Sequence, residues 1–443
     1  HITFDSLVVQ TQSSTNNFAI QLINDADSNT INNCIVDLTS ALTSTSTTNA
    51  GIVVSGSLTG AITAGASGAY NTITNNHIIG GYYGITINGA SSTSESYGNI
   101  INNNRIEDVY SYSTYLRSIS NSTVSFNDIS RPNRTSVTTF YGLYFITSGE
   151  RNTVEGNRFH DPFRGLGGVS TSTSYPIYHS GVDATVGNEN RVINNLIYNI
   201  KSNGTIYALY NDGSDGVHYY HNTISLDDQN ATGGTTRGFY QTSAASNIEF
   251  KNNIVTVTRA GTGTKYCVYH GTSTSTIISD NNVLYMNAAA GTNNLGYAGG
   301  AQATLLDWQT ATSGDANSVD VNPLYVNPTA NDFAPSNPLV DGIADASVNV
   351  ITDIFGTTRA VTPDPGAIEF TPPNCSQPVS LATVNVTSTT ADLSWVETGS
   401  ATTWQIDWDT VGVAQGFGNL VVTTNNPHTI TGLLPQSEYR YYV

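Results

Sequence analysis

Three segments of this chain carry acid–base residues in matching order. They read RIEDVY (105–110), DISRPN (128–133) and RFHDPF (158–163). Laid over one another, they bring Asp108, Arg131 and Asp161 to one position, with Glu107, Ser130 and His160 beside it. Carboxylates, a guanidinium and an imidazole that titrates near neutrality can supply general acid–base catalysis. The same charges can instead form a surface ladder, in which Arg131 is stacked between two carboxylates and neutralises a corner. Elsewhere the chemistry is sparse. Asp227 and Asp228 are the only adjacent aspartates, and they sit in SLDDQNATGG, which reads as a solvated turn. His218 and His221 are three apart on a strand-like stretch, hence on opposite faces. No cluster has metal-ligand spacing and no phosphate-binding glycine loop is present. No cofactor is implied, and nothing indicates a structural Ca²⁺.

Self-similarity shows what must position these residues. A segment of the form N-x-N-N-x-I recurs as NTINNCI (from Asn29), NTITNNHI (Asn71), NIINNNRI (Asn99), STVSFNDI (Ser122) and NTVEGNRF (Asn152). It continues as NRVINNLI (Asn190), VHYYHNTI (Val217), NIEFKNNIV (Asn247) and TIISDNNVL (Thr276). The aligned asparagines are Asn33, Asn76, Asn104, Asn127, Asn157, Asn195, Asn222, Asn253 and Asn282, spaced by 43, 28, 23, 30, 38, 27, 31 and 29 residues. So variable a period excludes a strict helical-repeat array and fits coils of fixed cross-section with loops of different length at their corners. A second strand lies between the segments: YGITI (Tyr83), YGLYF (Tyr141), YPIYH (Tyr175), YALYN (Tyr207), GFYQT (Gly238) and YCVYH (Tyr266). Both alternate with period two, as half-buried strands do. Asparagine can enter the left-handed conformation a tight corner needs, and its amide can stack on its counterpart one coil away.

Composition agrees. Of 443 residues 38% are hydrophobic, enough for a sizeable core, while only 11% are charged. The net charge of −18 argues against nucleic acid or anionic lipid as a partner. No apolar run approaches the roughly 18 residues of a membrane span. The polar, weakly charged exterior suits an extracellular protein, secreted or attached to a cell surface. With neither initiator Met nor signal peptide, the chain reads as a trimmed piece of something longer. Cys34, Cys267 and Cys375 form neither a disulfide framework nor a metal site. Cys34 and Cys267, about eight coils or roughly 38 Å apart, lie beyond the ~7 Å reach of a disulfide.

On these motifs, residues 1–284 resemble a right-handed parallel β-helix of the pectate-lyase-like superfamily. Residues 285–370 lose the repeat and read as its C-terminal capping segment, with ATLLDWQTA (303–311) as a short helix carrying Leu305, Leu306 and Trp308 inward. The stretch from NDFAPSNPLVDGIAD to DPGAIEF (331–370) resembles the closing segment of secreted bacterial β-helix proteins, in particular surface proteins of Bacteroidetes exported by the type IX system. Residues 375–443 are similar to a fibronectin type III domain, with Trp395 and Trp404 as sandwich core and Tyr439 at the tyrosine corner. The last strand of such a sandwich is missing, so further domains are expected beyond Val443. The fold class expected is all-β throughout.

Enzymes of that superfamily cleave acidic polysaccharides, and the resemblance implies a search for their sites. The Asn-Thr-Asp, Gly-His-Gly and Arg-Ile-Lys motifs of polygalacturonase-like enzymes are missing. Asp108, Arg131, His160 and Asp161 remain as the weak catalytic alternative.

Sorting the second strand into faces yields the stronger functional feature. If Leu143, Ile177, Leu209, Phe239 and Val268 point inward, then Tyr144, Tyr178, Tyr210, Tyr240 and Tyr269 form one exterior column over five coils, preceded by Thr86. Gly142, Pro176, Ala208, Gly238 and Cys267, two residues earlier, would form a parallel row of small outward residues, making a shallow strip about 20 Å long. Stacked tyrosines stabilise a parallel sheet by themselves. They also bind sugar rings, with Asn and Ser hydroxyls and amides at the rim. The reading favoured is a non-catalytic adhesin or stalk that binds an extracellular polysaccharide or cell-surface glycan. The alternatives are a polysaccharide lyase or glycoside hydrolase, and an architectural filament or surface-layer subunit.

Overall fold

Short apolar triplets separated by asparagine cannot make helices, and in the computed structural model they make three parallel sheets. The structure describes residues 1–11, 17–65, 68–372, 378–397, 401–413 and 418–443. It divides into two units, His1–Thr371 and Pro372–Val443.

The first unit is a parallel β-helix of ten coils, each giving one strand to each of three sheets. One coil contains Thr153–Glu155 in sheet 1, Arg158–His160 in sheet 2 and Ser174–Ser180 in sheet 3. The register stacks like on like. In sheet 1, Ile31, Ile73, Ile101, Val124, Val154 and Val192 are successive partners, each at most 1% exposed. Burying each such side chain stabilises the coil by roughly 1.5–3 kcal/mol. Parallel pairing persists past Leu284, through Val283–Met286 and Thr292–Ala298 of the tenth coil. Cys34 and Cys267 are both buried and free; Cys375 lies outside the described residues.

The corner between sheets 1 and 2 divides two jobs between neighbouring residues. The left-handed residue is the one before the stacked asparagine: Asn75, Asn103, Phe126, Gly156, Asn194, His221, Asn252 and Asn281 all have φ of 52–64°. The following asparagine keeps its side chain inside and builds the ladder. Asn76, Asn104, Asn127, Asn157, Asn195, Asn222 and Asn253 each donate a backbone and a side-chain N–H to Oδ1 of the next, at 2.9–3.2 Å. Asn33 is therefore a corner residue, not a member of the ladder, and Cys34 takes the ladder position, its N–H donating to Asn76 Oδ1. At the other end the Asn282 amide donates to Asp315 and its backbone N–H to Ser318 Oγ.

Those last acceptors belong to the cap. Helix α1 (Leu305–Thr312) starts with a capping box between Thr304 and Asp307. It sets Trp308, fully buried, on the last coil, where the indole N–H donates to Asp315 at 2.7 Å. Leu305 packs partly against the core, but Leu306 is 71% exposed, contrary to expectation. An eight-residue helix lying on one surface turns only one stripe toward it. Beyond residue 318 the chain runs back along the outside of the tube. Arg359, 8% exposed, fastens it by donating to Asn194 Oδ1, to the Gly366 and Asp364 carbonyls and to Glu369.

The second unit has two three-stranded antiparallel sheets enclosing Leu393, Trp395, Ile406 and Ile430, consistent with a β-sandwich. Trp404 is half-buried beside Trp395, and the Tyr439 hydroxyl accepts the Leu434 N–H at 2.9 Å, as a tyrosine corner would.

Candidate functional site

The acid–base corner is stacked as its sequence suggests, but its charges do not face one another. Asp108 N–H donates to the Ser130 carbonyl, and Arg131 N–H to the Asp161 carbonyl, so the three residues follow in consecutive coils. Arg131 then turns inward and is fully buried. Its guanidinium donates to the carbonyls of Pro162 (2.7 Å), Tyr110 (2.7 Å) and Thr138 (3.1 Å), between the rings of Phe140 and Phe163. Burial lowers its pKa to about 9, which still leaves it protonated at neutrality. Asp108 instead accepts the backbone N–H groups of Asn133 and Arg134. Arg131 thus ties corner loops together and pairs with neither carboxylate, so the expected surface ion ladder is replaced by a buried carbonyl clamp.

His160 does meet acids. Its Nδ1 lies 2.8 Å from Asp161 and its Nε2 3.1 Å from Asp128, while its ring stacks on Tyr198. Burial alone would lower its pKa, but the hydrogen bonds and charges of Asp128 and Asp161 prevail and raise it to about 9. An imidazole already protonated at neutral pH, with both nitrogens engaged, is a poor base there.

On sheet 3 the tyrosine column is present and wider than its sequence suggests. Tyr115, Tyr144, Tyr178, Tyr210, Tyr240, Tyr269 and Tyr297 are register partners over seven coils. At the ~4.8 Å coil spacing they span about 29 Å. Ring centroids are 4.8 Å apart for Tyr144–Tyr178, 4.3 Å for Tyr178–Tyr210, 4.8 Å for Tyr210–Tyr240 and 4.3 Å for Tyr269–Tyr297. A second exterior file runs beside the first: Tyr112, Tyr141, Tyr175, Tyr207, then Arg237, then Tyr266. Except for Tyr115 and Tyr266, the rings of both files are half-buried. Burial and the neighbouring phenols hold Tyr175 up to about 12 and raise Tyr112, Tyr178 and Tyr210 further, so all remain neutral donors. The Tyr178 hydroxyl donates to Asp212 at 3.1 Å.

The row of small residues faces the other way. A Cβ on Gly142 would stand 2.6 Å from the Phe159 ring, and one on Gly238 would stand 2.3 Å from Val255 Cγ1, both inside the tube. Gly142, Pro176, Ala208, Gly238 and Cys267 are small because the second sheet crowds them from within. Two consecutive inward residues, such as Gly142 and Leu143, break the alternation and release Tyr141 to the exterior. Thr86 heads the column but is covered, its hydroxyl donating to the Ala61 carbonyl at 2.7 Å.

His218, which its sequence leaves isolated, belongs to a further group of ionisable residues. Arg191, His218 and Glu249 are successive outward partners on sheet 1, with Tyr220 and Lys251 alongside. They line a cleft of about 510 Å³ together with Arg151 and Glu189. The Tyr220 hydroxyl donates to Glu249 at 2.7 Å and lies 3.0 Å from His218 Nδ1, and Lys251 stands 3.3 Å from Glu249. Burial lowers the His218 pKa, which keeps the imidazole neutral. Asp227 and Asp228 are no exposed pair: Asp228 is 4% exposed and accepts the Ser202 N–H. Among the described residues no group of three or more His, Cys, Asp or Glu is placed to hold a metal ion, and no helix is long and apolar enough to cross a membrane.

No protein-family model matches the chain, and no curated protein matches it.

Proposed function

We propose that this chain is a non-catalytic extracellular repeat protein, an adhesin or stalk, that binds glycan along the tyrosine face of its β-helix. The observation that carries the reading is the double file of closely packed, half-buried tyrosines on sheet 3, in which the Tyr178–Tyr210, Tyr210–Tyr240 and Tyr269–Tyr297 pairs stack in parallel. Packing against one another explains why these neighbouring rings lie 4.3–4.8 Å apart. It does not explain why so many phenols stand at the surface, when the interior is filled with Ile, Val, Leu and Phe. Ring faces suit the C–H faces of sugars, and phenol hydroxyls suit their hydroxyl groups. The likeness of residues 331–370 to closing segments of type IX-exported Bacteroidetes surface proteins supports the location. A glycan-array screen tests the reading: retention of one glycan class supports it, and a blank array removes it.

A polysaccharide-cleaving enzyme is the second reading, favoured by the sheet 1 cleft with His218, Tyr220 and Glu249 in one hydrogen-bonded chain. Release of unsaturated uronates, followed by absorbance, or of reducing ends would establish it. A His218→Ala variant should then be inactive.

A further inference from the structure

Arg237 interrupts a file that is otherwise aromatic. It occupies the column position of Tyr207 and Tyr266 in the neighbouring coils. Its guanidinium carbon lies 3.9 Å from the Tyr240 ring centroid, 3.7 Å from that of Tyr269 and 4.8 Å from that of Tyr207. At this place the Tyr240 and Tyr269 rings abandon parallel stacking and stand at 87° to each other. Aromatic contacts use the faces of a guanidinium and leave its in-plane N–H groups uncommitted. Among the described residues Arg237 makes no ion pair. Its Nε–H is buried and has no hydrogen-bond partner, as is also true of Arg117, Arg259 and Arg359, so a ligand would meet the terminal N–H groups.

Apart from Arg117, which also has no ion pair and an unpartnered Nε–H, the other deeply placed cations of the tube behave differently. Arg131, Arg134, Arg259 and Lys265 all donate to backbone carbonyls, and Arg359 pairs with Glu369. In a chain with 33 acidic and 15 basic residues, a positioned guanidinium left without an acid is an unfilled recognition element. Its planar fork matches a carboxylate through two parallel hydrogen bonds. One coil earlier, Asp212 already occupies the Tyr178 hydroxyl and presents the opposite charge. Asp212 lies five strand positions to the side of the Arg237 column, so an acidic sugar is drawn to Arg237 and repelled from Asp212, which fixes its position across the strip.

We infer that the strip selects a carboxylate-bearing glycan and that Arg237 is the residue that reads the carboxylate. This rests on the glycan-binding reading of the tyrosine face and names its ligand class. The test titrates the whole chain with an oligogalacturonide, with the same oligosaccharide after its carboxyls are reduced to alcohols, and with a sulfated oligosaccharide. The wild type is expected to bind the carboxylated probe about tenfold or more tighter than the reduced one, with the preference shrinking as salt is raised. Arg237→Gln should bind the two equally, and Arg237→Lys should restore part of the preference; melting curves confirm that each variant is folded. Equal binding of both probes by the wild type, or a preference that survives in Arg237→Gln, overturns the inference and leaves the strip reading standing. Tighter binding of the sulfated probe overturns the carboxylate assignment. Failure to bind these probes or any glycan on the array removes both.

Discussion

Asn157 gives both its backbone N–H and its side-chain amide to one acceptor, Oδ1 of Asn195, each at 3.0 Å. The Asn195 amide in turn reaches the Val154 and Ile193 carbonyls, and it is fully buried. Asn195→Ala would leave the Asn157 backbone N–H without its acceptor and take a donor from the Val154 and Ile193 carbonyls and from Asn222 Oδ1 in the dry interior. Buried groups left unpaired cost about 1–3 kcal/mol each where the structure cannot relax, so a loss of about 3 kcal/mol or more is expected in denaturant titration. Asn75→Ala, at an exposed left-handed corner, should cost about 1 kcal/mol. Equal losses for the two variants would contradict the division of labour at this corner.

Arg131 offers a second measurement of what the corners are made of. Were it one rung of a surface ion ladder, Arg131→Ala would cost at most about 1 kcal/mol. As a fully buried clamp on three carbonyls, its loss should cost about 3–5 kcal/mol. Arg131→Lys should recover little, because one ammonium cannot reach three acceptors set out for a planar fork. Thermal unfolding of the three proteins decides the matter, and a near-wild-type melting point for Arg131→Ala would restore the ladder.

How much of this was legible follows from how local each signal is. The coil and its asparagine ladder were legible because every repeat carries its own N-x-I signature. The fate of Arg131 was not, since it depends on where Pro162, Tyr110 and Thr138, from three different loops, turn their carbonyls. Period two places Tyr144, Tyr178, Tyr210, Tyr240 and Tyr269 of the first file but not Tyr115 and Tyr297, whose strands fall outside the recurring set. It does not show Tyr141 and Tyr175 outward, because Gly142 and Pro176 break the period. Arg191, His218 and Glu249 each stand four residues before an aligned asparagine, so the repeat already stacks them. What it does not show is that Tyr220 and Lys251 turn toward Glu249 and close the group.

His160 makes stability depend on pH. Its folded pKa of about 9 stands above the ordinary imidazole value of 6.5, so the folded chain binds the proton more tightly than the unfolded one. The stabilisation is complete below pH 6.5 and is lost as pH rises through about 9. With the side chain only 16% exposed, it amounts to roughly 2 kcal/mol at neutrality. Stability should fall between pH 7 and pH 9.5, and His160→Gln should flatten that part of the profile. A variant that keeps the full slope would move its cause to another group.

The tyrosine strip separates binding from folding most directly at Tyr178 and Tyr210, whose rings lie 4.3 Å apart and whose outer edges are open. Each stacked pair contributes about 0.5–1.5 kcal/mol beyond its buried area. Tyr178→Ala removes contacts with both Tyr144 and Tyr210, so a modest loss of stability is expected whatever the strip does. Tyr178→Phe keeps the ring, and with it the stack, while removing the hydroxyl that donates to Asp212. If the strip binds glycan, Tyr178→Ala and Tyr210→Ala should weaken binding more than tenfold, as loss of a central aromatic contact does. Tyr178→Phe should then retain much of the affinity that ring stacking provides. If the strip serves only the fold, both alanine variants should melt at lower temperature and bind the array-selected glycan as the wild type does. Isothermal titration and thermal unfolding on the same preparations distinguish the two outcomes.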